Sequence, residues 1–137
     1  MVGSLRRGVA LAAMLTSAAL GLAACGASAQ VWAGPDQTVT AHPGSRHCGQ
    51  EAVLFLDLGG EMYVYDPGST IERQLLTSEP DKGVDLPADA VDTGLRRGDA
   101  GLWIAADGDA VYVVSGDAAA TDSAQKWPRA VTPFGCD

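Results

Sequence analysis

The run of residues 102–115, LWIAADGDAVYVVS, decides the fold class of this chain. Two apolar segments, residues 102–106 and 110–114, flank the dipeptide Asp107-Gly108. Aspartate followed by glycine favours the type I′ turn, in which both central residues have positive φ. The run therefore predicts a β-hairpin with this dipeptide as its turn and with Trp103 and Tyr112 as neighbours across the two strands.

A second hairpin is predicted upstream of the first. Residues 52–58 and 61–65 are mostly apolar, and Gly59-Gly60 between them suits the same turn type because both glycines accept positive φ. Residues 70–76 alternate in polarity and predict a third strand, with a short helix as the alternative. These segments predict an all-β domain, a small antiparallel sheet of about five strands built from two hairpins.

The remaining segments predict less regular structure. Residues 78–101 are rich in Asp, Gly and Pro, and Pro87 favours one helical turn over residues 87–92. Pro128 and Pro133 confine the C-terminal segment to a sheet edge or to coil, because proline has no backbone N–H to donate. Residues 26–47 show no helical period and no sustained alternation, so they predict a flexible tether. Residues 31–32 of that tether could dock on the domain, and residues 37–40 could add a short strand.

The N-terminal segment has the pattern of an export signal. Arg6 and Arg7 precede an apolar run of about fifteen residues, which is shorter than the roughly twenty that a membrane-spanning helix needs. The run ends in Leu22-Ala23-Ala24-Cys25: an aliphatic residue, two small residues and a cysteine. This tetrapeptide resembles the lipobox of bacterial lipoproteins. The alternative is an ordinary secretory signal cleaved after residues 27–29, Ala-Ser-Ala.

The resemblance implies that a signal peptide, residues 1–24, is removed and that Cys25 carries a diacylglyceryl group, with palmitate among its acyl chains. Two acyl chains hold a protein stably on a bilayer, whereas one chain binds only marginally. We therefore expect a lipid-anchored protein on the extracytoplasmic side of the cell membrane. Residues 25–47 would be the lipidated cysteine and its tether, and residues 48–137 would be a single β-rich domain.

Once Cys25 is assigned to lipid, two cysteines remain. Cys48 precedes the first predicted strand, and Cys136 is the penultimate residue. An exported domain is oxidised, so we expect a disulfide between Cys48 and Cys136 that joins the ends of the domain. The alternative of a redox-active pair lacks the Cys-x-x-Cys spacing typical of that chemistry.

The charge balance excludes one class of partner. Arg6 and Arg7 precede Cys25, whereas all seventeen acidic residues follow it, so the chain from Cys25 onward has seven basic residues and a formal charge of −10. Such a surface repels the phosphates of nucleic acids and the headgroups of anionic lipids. We expect no nucleic-acid partner.

Aromatic side chains are the candidates for a partner-binding surface, because tyrosine and tryptophan dominate binding hot spots. In a strictly alternating strand Tyr63 and Tyr65 share a face. The alternative is that the aromatic residues fill the small core. The candidate residues are Tyr63, Tyr65, Trp103, Tyr112 and Trp127.

The doublet Arg96-Arg97 is a further candidate. Arginine forks suit carboxylates and phosphates, so the doublet could be a contact point for either group. The alternative is an exposed loop in which these arginines neutralise Asp92 and Asp99.

The sequence contains no complete catalytic pattern, and we assign no catalytic residue, metal ligand or cofactor. No Gly-x-Ser-x-Gly motif is present, and the Ser-x-x-Lys match at residues 123–126 lacks the motifs that accompany it in β-lactamases. His42 and His47 flank a Pro-Gly pair without a nearby third metal ligand. A calcium site built from Asp107, Asp109 and Asp99 lacks the full calcium-loop pattern.

The sequence thus predicts a lipid-anchored cell-envelope protein with a small binding or scaffold domain, docked on another envelope protein through an aromatic face or an open strand edge. The alternative is a cell-wall hydrolase that uses paired carboxylates.

Overall fold

Nine antiparallel strands form one sheet in the computed structural model, which describes residues 27–116 and 124–132. The strands are β1 (Gln30–Ala33), β2 (Thr38–Pro43), β3 (Leu54–Leu58), β4 (Glu61–Tyr65), β5 (Asp81–Val84), β6 (Val91–Arg97), β7 (Ala100–Ile104), β8 (Ala110–Ser115) and β9 (Ala124–Pro128). The all-β antiparallel prediction is confirmed, but the expected five strands were too few.

The sheet consists of two meanders placed side by side. Its strand order is β4-β3-β2-β1-β6-β7-β8-β9-β5, so β1–β4 are neighbours in sequence and in space, and so are β6–β9. β1 and β6 join the two meanders through the pair Ala33–Arg96. The sheet then curls until β4 reaches the residues after β9, where Tyr63 bridges Arg129 and the Ala130 N–H donates to the Met62 carbonyl oxygen at 2.8 Å.

The Gly59-Gly60 hairpin forms as predicted. Leu58 pairs with Glu61, which leaves a two-residue turn. The φ angles of Gly59 and Gly60 are +61° and +82°. Both central residues therefore have the positive φ that a type I′ turn requires, and glycine adopts it without steric cost.

The Asp107-Gly108 hairpin also forms, but its turn differs from the prediction. Trp103 pairs with Tyr112, as expected, and the register is symmetric about Asp107-Gly108. However, the Ala105 N–H donates to the Ala110 carbonyl oxygen at 2.9 Å, so four residues make the turn. Gly108 has a φ of +76°, whereas Asp107 does not enter the positive region. Its carboxylate instead accepts a hydrogen bond from the Asp109 N–H at 3.0 Å, which stabilises the wider turn.

The prediction of a flexible tether over residues 25–47 is wrong for most of that segment. β1 and β2 pair with each other from Gln30–Ala41 to Ala33–Thr38, and β2 continues into the pairing with β3. The side chains of Trp32 and Ala41 are fully buried. Among residues 27–47, which the structure describes, only these two are buried. The sequence therefore has too few apolar positions here to show the alternation typical of a strand.

The main core lies inside the curl. It receives side chains from both meanders, so each meander covers the apolar face of the other. Its largest members are Trp32, Leu54, Leu56, Tyr63, Leu95, Leu102 and Trp127. A second cluster, outside the curl, covers β8: Tyr112 and Val114 pack there with Ala124 and are flanked by Val84 and Leu86. β8 is therefore buried on both faces, which explains its nearly continuous apolar sequence.

Residues 70–76 form a short helix rather than a strand. Asp66, which is 2% exposed, accepts hydrogen bonds from the backbone N–H groups of Thr70 at 2.9 Å and Ile71 at 2.7 Å. These bonds fold the chain back, and a 3-10 helix follows at Arg73–Leu75. The apolar residues of the segment, Ile71 and Leu76, are buried in a cluster with residues of the sheet, and this burial accounts for their positions.

Two further predictions near prolines need correction. The helical turn expected over residues 87–92 is instead a four-residue turn over residues 87–90, closed by the Ala90 N–H on the Pro87 carbonyl oxygen at 3.0 Å, and β6 begins at Val91. The part of the C-terminal segment that forms β9 is neither edge nor coil, since β9 pairs with β8 on one side and β5 on the other. Pro133 lies outside the described residues. Pro128 fits because it is the last residue of its strand.

Cys48 ends a second 3-10 helix, Arg46–Cys48, between β2 and β3. Cys25 and Cys136 lie outside the described residues, so lipidation and the Cys48–Cys136 pairing stay predictions. No helix among the described residues is both long and apolar enough to cross a bilayer.

Candidate binding surface

One end of the curled sheet, which we call the mouth, brings together segments that are far apart in sequence. The β3–β4 turn at Gly59-Gly60, the β7–β8 turn and Arg129 after β9 all lie there. Antiparallel pairing places these turns at the same end because β4, β6 and β8 start where β3, β7 and β9 finish.

Arg129 is the central charged residue of the mouth. Its guanidinium lies 3.0 Å from the Asp109 carboxylate and 3.7 Å from the Glu61 carboxylate, and its side chain is 26% exposed. The hydrogen bond to Asp109 raises the pKa of Arg129 further, so the group stays charged. Arg129 is thus a fixed cation with two carboxylate neighbours and some of its surface open to solvent.

The backbone of Arg129 holds this side chain in place. Its N–H donates to the Asp109 carbonyl oxygen at 2.8 Å and to the Thr77 hydroxyl at 3.1 Å. The same hydroxyl donates to the Asp109 carbonyl oxygen at 2.7 Å. The β7–β8 turn, the residues after β9 and the Thr77 segment are therefore tied together at the mouth.

Tyr63 supports the mouth from inside the curl. Its ring is buried, and its hydroxyl donates to the Gly108 carbonyl oxygen at 2.9 Å. Burial, followed by the nearby Glu61 carboxylate, raises the pKa of the phenol. Tyr63 therefore remains a neutral donor that fixes the β7–β8 turn over the core.

A groove of about 630 Å³ opens at the mouth. Its walls combine two aliphatic side chains with charged and hydroxyl groups, a mixture typical of recognition sites. The lining residues that matter here are Leu58, Glu61, Thr93, Ile104, Asp107 and Arg129. The arrangement can bind a polar group through Arg129 while it covers an apolar group on Leu58 and Ile104. The Thr93 hydroxyl already donates to the Leu102 carbonyl oxygen and accepts from the Leu95 N–H.

A second groove of about 610 Å³ lies on the other side of the β7–β8 turn, along the outer face of β8 and β9. Asp89, Asp107 and Asp109 line it together with Lys126 and Tyr112. Burial and the Asp107 carboxylate raise the pKa of Tyr112. Here three carboxylates share one concave surface, which is the feature that the hydrolase alternative requires.

The three aspartates that were weighed above as calcium ligands, and not assigned as such, are not brought together in the structure. Asp99 is in the β6–β7 turn, and β7 separates it from Asp107 and Asp109 at the opposite end of the same strand. No group of three metal-ligating side chains occurs in the part of the chain that is described. His42 lies on β2 and His47 in the 3-10 helix that follows.

The arginine doublet lies at the end of strand β6 rather than in a loop. Arg96 binds Asp92 through two hydrogen bonds of 2.6 and 2.8 Å, which agrees with one half of the alternative. The other half, neutralisation of Asp99, is not seen, since no ion pair among the described residues involves Asp99. This pairing lowers the pKa of the Asp92 carboxyl. Arg97 is exposed, and no carboxylate of the described residues pairs with it.

The five candidate aromatic residues do not form an exposed face. Tyr63, Tyr112 and Trp127 are buried, which agrees with the alternative that the aromatic residues fill the core. Tyr63 and Tyr65 do share the inner face of β4, and the Tyr65 ring packs on Trp127 with centroids 5.3 Å apart. Trp103 and Tyr65 are partly exposed and remain available for contact.

The sequence did not single out the residues at the centre of the mouth. Glu61, Thr77 and Arg129 come from three separate segments that meet only when the sheet curls. The sequence offers Asp109 only as a candidate calcium ligand and does not indicate its ion pair with Arg129. Arg129 follows the proline that ends β9, and nothing in that position indicates an ion pair. The sequence distances from Arg129 to Asp109 and Glu61 do not indicate one either.

Comparison with protein-family models, with curated proteins and with solved structures finds no match for this chain.

Proposed function

We propose that this chain is a lipid-anchored protein of the cell envelope whose β domain binds an envelope protein and catalyses no reaction. Acylation of Cys25 would hold it on the extracytoplasmic side of the membrane, and a Cys48–Cys136 disulfide would close the domain. The Cys48 sulfur is not a free thiol, which supports the disulfide. The lipobox-like tetrapeptide at residues 22–25 supports the anchor.

The arrangement of Arg129 carries the choice of binding over catalysis. The mouth offers a preformed groove around a cation whose position is fixed by its backbone and by two carboxylates. Of the carboxylates at hand, Asp109 pairs with Arg129 and Asp107 accepts the Asp109 N–H. These carboxylates have structural roles, and preorganised polar groups with apolar neighbours favour recognition.

The anchor is tested by replacing the acylated residue. A Cys25→Ser chain should leave the membrane fraction, and the mass of the native mature protein should show acyl groups on residue 25. Cys48→Ser is the matched control, since that chain should stay membrane-bound. Retention of Cys25→Ser in membranes, or a mature N-terminus elsewhere, would overturn the anchor.

The binding surface is tested with a photocrosslinking amino acid in intact cells. Gln37 is exposed beside the mouth groove, whereas Asp57 is exposed on the outer face of β3. A crosslinker at position 37 should give one discrete protein adduct, which Arg129→Glu removes, and a crosslinker at position 57 should not give it. An adduct that is the same at both positions, or insensitive to Arg129→Glu, would contradict a partner at the mouth.

The second candidate function, a cell-wall hydrolase, is favoured by the shared groove of Asp89, Asp107 and Asp109. Purified peptidoglycan should release no soluble fragments when incubated with the native protein. Release that is lost in both Asp107→Asn and Asp89→Asn would support the hydrolase and reject the binding proposal.

A further inference from the structure

The chain is fixed to the sheet almost as soon as it leaves Cys25. The Ala27 N–H donates to the Glu51 carbonyl oxygen at 2.7 Å, and the Ala27 side chain packs against the main core. β1 begins three residues later. The point of attachment is therefore a defined place on the domain rather than the far end of a long tether.

Covalent geometry limits how far the acylated residue can be from this place. Cys25 precedes Ala27 by two residues, and a fully extended chain spans at most about 3.3–3.6 Å per residue. The Cα atom of Cys25 therefore lies within about 7 Å of that of Ala27, whatever conformation these residues adopt. A membrane that holds Cys25 must come equally near to the surface around Ala27.

We call this surface the base and define it by Ala27, the segment from Ser45 to Glu51 and the β6–β7 turn at Gly98. It lies opposite the mouth. β1 and β3 both start near the base and run toward the mouth, whereas β2 and β6 run back toward the base. The six residues of β2 alone separate the two ends by about 20 Å at 3.4 Å per residue.

The base carries the two arginines that have no ion-pair partner among the described residues. Arg73, Arg96 and Arg129 each pair with a carboxylate, but Arg46 and Arg97 do not. Both are exposed, and His47 is exposed beside Arg46. Asp99 lies two residues after Arg97, but no ion pair within 4 Å joins them. Arg46 also has no carboxylate of the described residues within 4 Å.

The acidic character of the whole domain does not prevent this end from approaching phosphates. Glu61, Asp107 and Asp109 are at the mouth, about 20 Å away. At physiological ionic strength the Debye length is about 8 Å, so charges at that distance are largely screened at the base. The charges of the base itself therefore decide how it interacts with a charged surface. Arg46, Arg97 and Asp99 are exposed there, whereas Glu51 is only partly exposed and one of its carboxylate oxygens is buried.

We propose that the acylated chain lies with its base on the bilayer, where the guanidinium groups of Arg46 and Arg97 bind lipid phosphates and the mouth groove faces away from the membrane. This inference rests on the acylation of Cys25 in the proposed function. A guanidinium fork matches the geometry of phosphate oxygens, and the short distance to the anchor raises the local concentration of headgroups.

The orientation is tested with the acylated full-length mature chain in vesicles of phosphatidylcholine and phosphatidylglycerol that carry a headgroup-linked nitroxide quencher. A fluorophore is attached to His47→Cys, at the base, or to Asp36→Cys, in the exposed β1–β2 turn at the other end. We expect several-fold stronger quenching at position 47 than at position 36. Equal quenching, or stronger quenching at position 36, would overturn the orientation.

The contact between the arginines and the lipid phosphates is tested separately with a double substitution. Arg46→Glu with Arg97→Glu, in the chain labelled at position 47, should lower the quenching at least twofold, whereas Arg73→Glu should leave it unchanged. Unchanged quenching in the double variant would overturn the contact.

Flotation with the vesicles distinguishes a wrong orientation from the absence of the lipid anchor. If the acylated chain floats and both labels are quenched equally, only the orientation fails. If the Cys25→Ser chain floats as well as the native one, the anchor fails.

Discussion

The hydroxyl group of Tyr63 donates a hydrogen bond of 2.9 Å to the carbonyl oxygen of Gly108, and this bond joins β4 to the β7–β8 turn. The two residues belong to different meanders, so the contact exists only when the sheet has curled. It connects the core to the mouth, because the Tyr63 ring is buried and Gly108 is at the rim of the groove.

Loss of this bond should destabilise the fold without removing any apolar packing. Tyr63→Phe keeps the ring but leaves the Gly108 carbonyl without its donor, so we expect the free energy of unfolding to fall by about 1–2 kcal/mol. Urea denaturation followed by tryptophan fluorescence measures it. Tyr65→Phe is the control, since no described hydrogen bond involves the Tyr65 hydroxyl; equal losses in both variants would contradict a specific role for Tyr63.

The same phenol predicts a loss of stability at high pH. Burial raises the pKa of Tyr63 above its ordinary value of 10.0. A group with a raised pKa in the folded state contributes its full stability below the unfolded pKa and loses it as the pH rises through the folded one. The free energy of unfolding should therefore decline above about pH 10. Tyr63→Phe should flatten this decline, and an unchanged pH profile would show that another group causes it.

Asp92 should give the opposite pH dependence, a loss of stability at low pH. Its hydrogen bonds to Arg96 lower the pKa of the carboxyl below the ordinary value of 3.8, so its contribution to stability is present above that pH and is lost as the pH falls through the folded pKa. Arg96→Gln should raise the pKa of Asp92, as measured by NMR titration of the carboxyl carbon. Arg97→Gln is the matched control and should leave that pKa where it is.

The N-terminal strands should be indispensable for folding. Trp32 is fully buried among core residues from both meanders, and Trp32→Ala should lower the free energy of unfolding by about 3–5 kcal/mol. A chain that starts at residue 48 lacks β1 and β2 and should not fold. Val31→Ala, at an exposed position of the same strand, should change stability by less than about 0.5 kcal/mol. A cooperative unfolding transition in the shortened chain would contradict this.

The proposed disulfide should contribute substantially to stability. A Cys48–Cys136 bond closes a loop of about 89 residues, for which the chain-entropy model gives about 4–5 kcal/mol. Cys48→Ser should lose this amount in denaturant titrations, while Cys25→Ser should not. Mass spectrometry of the unreduced protein should show the linked peptides, and free thiols at both positions would refute the bond.

Two hairpins could be predicted from the sequence because their turns carry local signals. Gly59-Gly60 and Gly108 supply the positive φ angles that short turns need, and the apolar runs beside them are long. β1 and β2 have weak signals, since only Trp32 and Ala41 are fully buried there. The sequence did not predict β9 inside the sheet because Pro128 argues against an interior strand. Pro128 is tolerated there because it is the last residue of β9.

The centre of the mouth could not be predicted, for a different reason. Arg129 meets Asp109 through the β8–β9 pairing and meets Glu61 through the closure of the curl. Each contact depends on how far the sheet bends, and no spacing in the sequence encodes that bend. The Arg96–Asp92 pair was within reach of sequence reasoning because the two residues are only four positions apart. The irregularity of β6 between them, where Gly94 has a positive φ, shortens the distance that a regular strand would impose.

The division into two meanders has a consequence for the export that we propose. A translocated chain emerges from its N-terminus, so β1 to β4 would reach the far side first, with β1 and β4 at the open edges. β1 finds its partner when β6 arrives, whereas β4 finds its partner only when Arg129 and Ala130 follow. Such distant pairing makes closure slow, and until then the unpaired edges are sites for aggregation. Passage of the residues after β9 through the translocation channel would therefore determine when the last open edge is closed.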